Sequence, residues 1–394
     1  MAQTSPVPQG QAAAAPPRPS APDGARGVPE VSVLVPIYNV ERYLERCLSS
    51  LAGQTFADFE AICVNDGSTD ASRAIVQRFL DADARFRVID KPNSGYGASM
   101  NRGLDAARGR YVAILESDDF LEPGALELLH AEAERTGADV VKADFYLFWS
   151  RPSERRERFG IVDDREASRV LAPLDDLAVF FRKPSIWSAL YRHEFLERSG
   201  VRFLETPGAS YQDCGFSFKV WASARSVAFL SEPVLNYRQD NEQSSVNSAG
   251  KAFCICDEYA LMEEFARGRG GAEGAELLRI LARMRLDSYL WNLDRLAPEL
   301  RGPFAERAAG EFRRIRSEGF VDPALFEPAA AAELDALVAD PAAYCRLRYA
   351  ARPGALGTLA RYLRMGGAPL VARIAWFRLF GRSVRRIDGR GAAA

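Results

Sequence analysis

Histidine is nearly missing from this chain: its 394 residues contain two, His130 and His193. A histidine-rich zinc centre or a Ser-His-Asp triad is hard to build from so few, so carboxylates must carry most of the chemistry. Cysteine is scarce as well. Cys47, Cys63, Cys214, Cys254, Cys256 and Cys345 are too spread out in too long a chain to form a disulfide framework. Cys254-x-Cys256 lacks a second pair at metal-binding spacing and reads as core. No run of 18 or more apolar residues occurs, so no transmembrane helix is predicted. The first residues lack the charged-then-apolar order of a signal peptide, and a cytoplasmic protein is expected. Nor is there an excess of one charge: Lys and Arg total 51 against 53 Asp and Glu, for a net charge of -2. A nucleic-acid partner, which calls for a basic excess, is not expected.

What is present divides into three stretches. Residues 1–29 are rich in Ala, Pro, Gln and Gly and cannot bury enough surface to offset their ordering entropy, so a disordered tail is expected. Residues 30–250 alternate short β-branched runs with amphipathic helical patterns. Strands are predicted at Val31–Pro36, Glu60–Val64, Phe86–Ile89, Tyr111–Leu115 and Asp139–Phe148. Helices are predicted from Val40 to Leu51, from Ala71 to Leu80 with Ser68 or Thr69 as cap, from the Gly95-Tyr96-Gly97 loop to Ala107, and from Gly124 to Thr136. Residues 150–170 read as loop or edge structure. Residues 251–394 form a helical C-terminal region. Alternating strands and helices imply an α/β fold, a mostly parallel sheet flanked by helices.

In such sheets ligands gather beyond the carboxyl ends of the strands. Polar clusters stand there: Tyr38-Asn39 after the first strand, Asp66 after the second, Asp118-Asp119 after the fourth. Two adjacent carboxylates at the mouth of a buried strand are costly unless a cation binds them, and Mg²⁺ or Mn²⁺ suits carboxylate and phosphate oxygens. An exposed turn rich in Asp is the competing reading. Asp66 fits either a nucleoside contact or a helix cap. Asp213, in Tyr211-Gln212-Asp213-Cys214-Gly215-Phe216, fits either a general base or a capping residue. The glycine loop follows the third strand and lacks the third glycine of a dinucleotide fingerprint, so a turn is the better reading.

In order, "VSVLVPIYNVERYLERCLSSLAGQTFADFEAICVNDGSTDASRAI" and "NSGYGASMNRGLDAARGRYVAILESDDFL" resemble the family-2 glycosyltransferases, which share the GT-A fold. The match is dense from Val31 to Asp144 and thins to "GASYQDCGFSFKVW" and "YRQDNEQSSVNS". These later pieces resemble bacterial enzymes that build surface glycans. The resemblance implies that Pro36, Tyr38 and Glu41 line a nucleotide pocket, with Asp66 on the base, usually uracil. It implies that Asp118 holds ribose or metal-bound water and that Asp119 ligates Mn²⁺ or Mg²⁺ between the phosphates. Asn101 is the retained asparagine of the donor-site motif, after Met100 where an arginine is common. Asp213 would take the acceptor hydroxyl proton, with inversion at the anomeric carbon. Gln212 stands where the family often has Glu. Neither a QxxRW motif nor membrane helices are evident, so non-processive transfer from a nucleotide-sugar to a glycan or lipid-linked acceptor is expected.

Residues 361–390 carry eight arginines and one acid, Asp388. From Leu370 to Arg386 the residues Leu370, Ile374, Phe377, Phe380 and Val384 share one helical face. Arg378, Arg382, Arg385 and Arg386 share the other, with Arg373 the exception. This reads either as a basic amphipathic helix on the anionic inner face of the plasma membrane or as an ordinary packed helix. A homodimer through the helical region stays open. So do a nucleotidyltransferase, which would need a glycine-rich basic loop where Pro36-Ile37-Tyr38-Asn39 stands, and a non-catalytic scaffold that binds a nucleotide-sugar.

Overall fold

The computed structural model describes residues 27–162, 167, 169–206, 208, 211–241, 252–350 and 354–380. All but the last three residues of the expected N-terminal tail lie outside that set, as does the proposed boundary at residue 250.

The chain opens as β1 (Val31–Ile37), α1 (Glu41–Ala52), β2 (Phe59–Asp66), α2 (Ser72–Ala82), β3 (Phe86–Lys91), α3 (Tyr96–Ala106) and β4 (Tyr111–Ile114). Every residue of β1 and β2 is buried, which is why these strands read as apolar runs rather than alternating ones. β5 (Phe120–Leu121), α4 (Ala125–Thr136), β6 (Val140–Ala143), β7 (Phe145–Trp149), β8 (Arg155–Phe159) and β9 (Val170–Leu171) follow. A 3-10 turn at Leu177–Phe181 leads to β10 (Ala189–Arg192), α5 (His193–Ser199), α6 (Gln212–Ser223), β11 (Val227–Leu230) and β12 (Leu235–Arg238).

The larger sheet has the order β3-β2-β1-β4-β10-β6-β11-β9, and a smaller one the order β5-β12-β7-β8. β1 pairs in parallel with β2 on one side, Val31 opposite Phe59, and with β4 on the other, Val31 opposite Tyr111. Strand order therefore reverses at β1, and the carboxyl ends of β1 and β4 flank a crevice. β10 runs antiparallel between β4 and β6.

The single strand expected over Asp139–Phe148 is two strands in two sheets. Asp144, fully buried, breaks it: Oδ1 accepts from the Ile161 and Val162 amides at 2.7 and 3.0 Å, and Oδ2 accepts from Arg158 at 2.8 Å. Both halves are apolar, so local pattern could not separate them. The cap expected of Ser68 or Thr69 also differs. Asp70 Oδ1 accepts from Ser72 N at 2.9 Å and Glu41 Oε2 from Ala71 N at 2.7 Å, while Ser68 Oγ accepts from Asn39 N.

The helical region comprises α7 (Cys254–Arg269), α8 (Gly271–Arg295), α9 (Pro298–Ser317), α10 (Pro328–Ala339), α11 (Pro341–Ala350) and α12 (Ala355–Phe380). α7 packs on α6, and Tyr211 Oη donates to Asn292 of α8 at 2.7 Å. Glu263 clasps three helices by accepting from Arg267, Arg285 and Arg314 at 2.8 Å, 2.8 Å and 2.7 Å. Among the described residues no helix is long and apolar enough to cross a membrane.

Candidate active site

Beyond the end of β4 the chain turns through Glu116-Ser117-Asp118-Asp119, closed by Asp119 N donating to Glu116 O at 3.0 Å. The turn brings three carboxylates together. Asp119 is 1% exposed; its Oδ1 accepts from Arg238 N at 2.8 Å, and its Oδ2 is buried with no partner. Asp118 Oδ2 accepts from Asn241 at 2.8 Å, and its carbonyl accepts from Arg238 Nε at 2.9 Å. Glu116 Oε1 accepts from Tyr96 Oη at 2.5 Å.

Burial and mutual repulsion push these groups toward the neutral form. Burial, with Asp118 and Asp213 nearby, raises Glu116 to about 8. Burial first, then Asp118 and Glu116, holds Asp119 well above the usual carboxylate range. Unpaired buried charge of this kind is expensive, and a hard divalent cation is the partner that oxygen-only donors suit. The orphaned Asp119 Oδ2 fits such an ion. A second acidic group, Glu30, His130 and Glu134, gathers at the far surface, but His130 and Glu134 already bond to Glu30 and Tyr111.

Asp213 sits in the first turn of α6. Tyr211, at φ 60°, turns the chain into that helix. Asp213 Oδ1 accepts from Cys214 N at 2.9 Å. Burial raises the carboxyl, offset by that bond and by Lys183. Lys183 Nζ lies 4.7 Å above the Tyr237 ring; burial lowers its pKa, and the charges of Asp213 and then Asp119 oppose that shift. Gln212 is buried and donates to Thr206 Oγ1 at 2.9 Å. A glutamate there would add charge beside Asp213.

Pro36 is buried near the end of β1, and Tyr38, just past the strand, is 51% exposed. Glu41 caps α2, as noted. Asp66 does not cap a helix: it pairs with Lys91 and accepts from Ser94 N and Gly95 N at 2.9 and 3.0 Å. Asn101 is buried and clamps the segment after α5. Its Nδ2 donates to Phe203 O and Glu205, and its Oδ1 accepts from Phe203 N. The glycine loop packs on that same segment. A Cβ at Gly97 would lie 1.8 Å from Leu204 O, so only glycine fits. Its amides donate to Asp66 Oδ2 and Gly208 O.

Sequence reasoning missed Glu116, Tyr96, Lys183 and Arg238. "YRQDN" was noted without a role, yet Arg238 and Asn241 are the residues that hold the acidic pair. The signal was a polar run directly after an apolar strand.

Residues 32–187 match the model of Glycosyl transferase family 2. The segment is a family-2 glycosyltransferase domain. Among curated relatives, the uncharacterized glycosyltransferase EpsJ of Bacillus subtilis is 34% identical over 219 residues, 54% of this chain and 62% of that protein. Glycosyltransferase GlyA of Streptococcus pneumoniae is 33% identical over 220 residues, 53% of this chain and 30% of that protein. The chain thus spans about three-fifths of EpsJ and under a third of GlyA. A crystal structure of S. aureus TarS 1-349 in complex with UDP-GlcNAc superposes with TM-score 0.63 at 22% identity, covering 81% of this chain and 90% of that one. The segment lies in a GT-A fold, and a helical region follows it in the chain.

Glu258 of α7 packs against α6 at Gly215. It is 2% exposed, and a Cβ at Gly215 would lie 1.7 Å from its Oε1. Burial raises its carboxyl from 4.5 to about 8. A raised carboxyl pKa favours the fold while protonated, so this stability is full below about pH 4.5 and lost as the pH rises past 8. Glu258→Gln should remove that loss, raising stability at pH 9 by on the order of 2 kcal/mol relative to its effect at pH 5. Urea denaturation of both proteins at the two pH values measures it; equal differences would rule the linkage out.

Proposed function

We propose that the chain is an inverting, metal-dependent, non-processive glycosyltransferase of the hexosyl type. It moves a sugar from a nucleotide donor, a UDP-sugar, to a hydroxyl of a glycan or lipid-linked acceptor in bacterial cell-surface polysaccharide synthesis. The observation that carries this is the buried Asp119 Oδ2 without a partner, at the crevice end of β4, beside Glu116, whose carboxyl is raised by burial and by Asp118 and Asp213. On this reading residues 30–250 are the catalytic unit and 251–394 a helical region that supports α6.

Asp119, with Asp118 beside it, would hold Mn²⁺ or Mg²⁺, which when bound offsets the negative charge of the diphosphate leaving group. Asp213 accepts the proton of the acceptor hydroxyl as that oxygen attacks the anomeric carbon from the face opposite the leaving diphosphate. The carbon–oxygen bond to acceptor forms, the one to phosphate breaks, and configuration inverts. Lys183 favours the ionised form of Asp213. Pro36, Tyr38, Glu41, Asp66 and Asn101 belong to the donor side of this proposal. Two of them act indirectly here: Asp66 orders the loop before α3, and Asn101 orders residues 203–205. A UDP-sugar is favoured because UDP-GlcNAc is bound in the TarS structure of the same fold.

Calorimetry with UDP, GDP and CMP, with and without Mn²⁺, tests this reading. Metal-dependent UDP binding, absent in Asp119→Ala, is expected. Binding of GDP or CMP instead would change the donor class. No binding of any nucleotide would leave the scaffold reading in place.

A further inference from the structure

Helix α12 turns outward a face other than the one its sequence pattern suggests. Ile374 is buried, and Leu370 and Phe377 are half-buried, so most of the expected apolar face is turned inward. The exposed side carries Trp376 at 61%, Leu379 at 71% and Phe380 at 68%, with the Trp376 and Phe380 rings 6.0 Å apart. Before the break at Gly366 and Gly367, Leu356, Leu359 and Leu363 form a second exposed stripe at helical spacing. Twelve large hydrophobic residues are exposed among the described residues, and six of them lie on this one helix. Val384, Arg382, Arg385 and Arg386 lie outside the described residues.

Charge accompanies the apolar stripe. α12 contains four arginines and no acidic residue. Arg361 is tied to Glu333 at 2.9 Å. Arg364, Arg373 and Arg378 are outward-facing and have no ion-pair partner among the described residues. Pairing with a second copy across a two-fold axis would set these arginines against one another without an acid between them. An anionic lipid surface instead supplies phosphates for the arginines and an acyl boundary for the rings. The break at Gly367, φ 67°, followed by Pro369, yields two short segments, each too short to span a bilayer and long enough to lie in its interface.

We propose that α12 is a membrane-contact surface, with Trp376, Leu379 and Phe380 entering the headgroup–acyl boundary of an anionic bilayer while Arg373 and Arg378 bind its phosphates. Trp376 then anchors at interfacial depth, where its ring is amphipathic. The contact is peripheral and salt-sensitive. It does not depend on the transferase reading, because vesicles alone test it.

The experiment is sedimentation of the full chain with vesicles of equal parts phosphatidylglycerol and phosphatidylcholine, against phosphatidylcholine alone. Binding to the anionic vesicles only, weakened by salt, is expected. Combined Trp376→Ser, Leu379→Ser and Phe380→Ser, and separately Arg373→Glu with Arg378→Glu, should each lower the partition coefficient about 10-fold or more. These positions are exposed, so unchanged thermal melting is expected, and Trp376→Ser alone serves as a milder variant. Absence of binding by the native chain, or native-like binding by both variants, would overturn the proposal. So would a dimer in light scattering that the triple variant dissociates, since a second copy would then own the face.

Discussion

Asp213→Asn is expected to lower kcat by about 1,000-fold or more while nucleotide affinity stays within about twofold of the native value. Asparagine keeps the shape and retains an oxygen for the Cys214 amide, which Asp213 Oδ1 now accepts at 2.9 Å. It cannot take a proton. The donor groups at Asp118 and Asp119 stand on another loop, so binding and proton transfer separate by residue. Burial already disfavours the Asp213 charge, so the neutral variant should not unfold the protein, and Lys183 loses only one of its two acidic neighbours. Sugar transfer and UDP calorimetry on the same preparation make the comparison. Undiminished turnover would remove Asp213 from the mechanism. Loss of nucleotide binding would mean that it orders the donor site instead.

The second large effect has two signs. Asp119→Asn should weaken metal-dependent UDP binding by about 100-fold or more, because the amide replaces the free oxygen proposed to hold the cation. The same change should stabilise the metal-free protein by roughly 1 kcal/mol, since an amide placed at Oδ2 no longer repels Asp118 and Glu116. Oδ1 keeps its bond from Arg238 N. Thermal melting without metal and calorimetry with Mn²⁺ read the two signs independently. A variant less stable than the native protein in the absence of metal would show that Oδ2 has a structural role. Native-like binding would move the cation elsewhere.

Much of the fold was legible because β1 to β4 and α1 to α4 each carry a local signature: buried apolar runs, amphipathic spacing, and polar residues at strand ends. Asp118 and Asp119 stand out because adjacent carboxylates at the mouth of a buried strand are costly without a task, whereas Asp213 is pointed to by the family resemblance alone. Other features were not legible. Asp144 divides one apolar run between two sheets through bonds to residues 14 to 18 positions away. Arg238 reaches Asp119 across 119 positions, and Asn101 reaches Phe203 across 102. α12 has an apolar face in both sequence and structure, but packing decided which side of it is covered.

The sequence by itself determined the alternation of strands and helices, the parallel sheet, and the set of acidic residues at its carboxyl edge, because local periodicity and turn chemistry act within a few residues. Tertiary structure alone decided which carboxylate oxygen stays unpartnered, which cation opposes the charge of Asp213, and which face of α12 meets solvent. Those outcomes depend on desolvation and on contacts between segments far apart in the chain, where no local pattern records the partner.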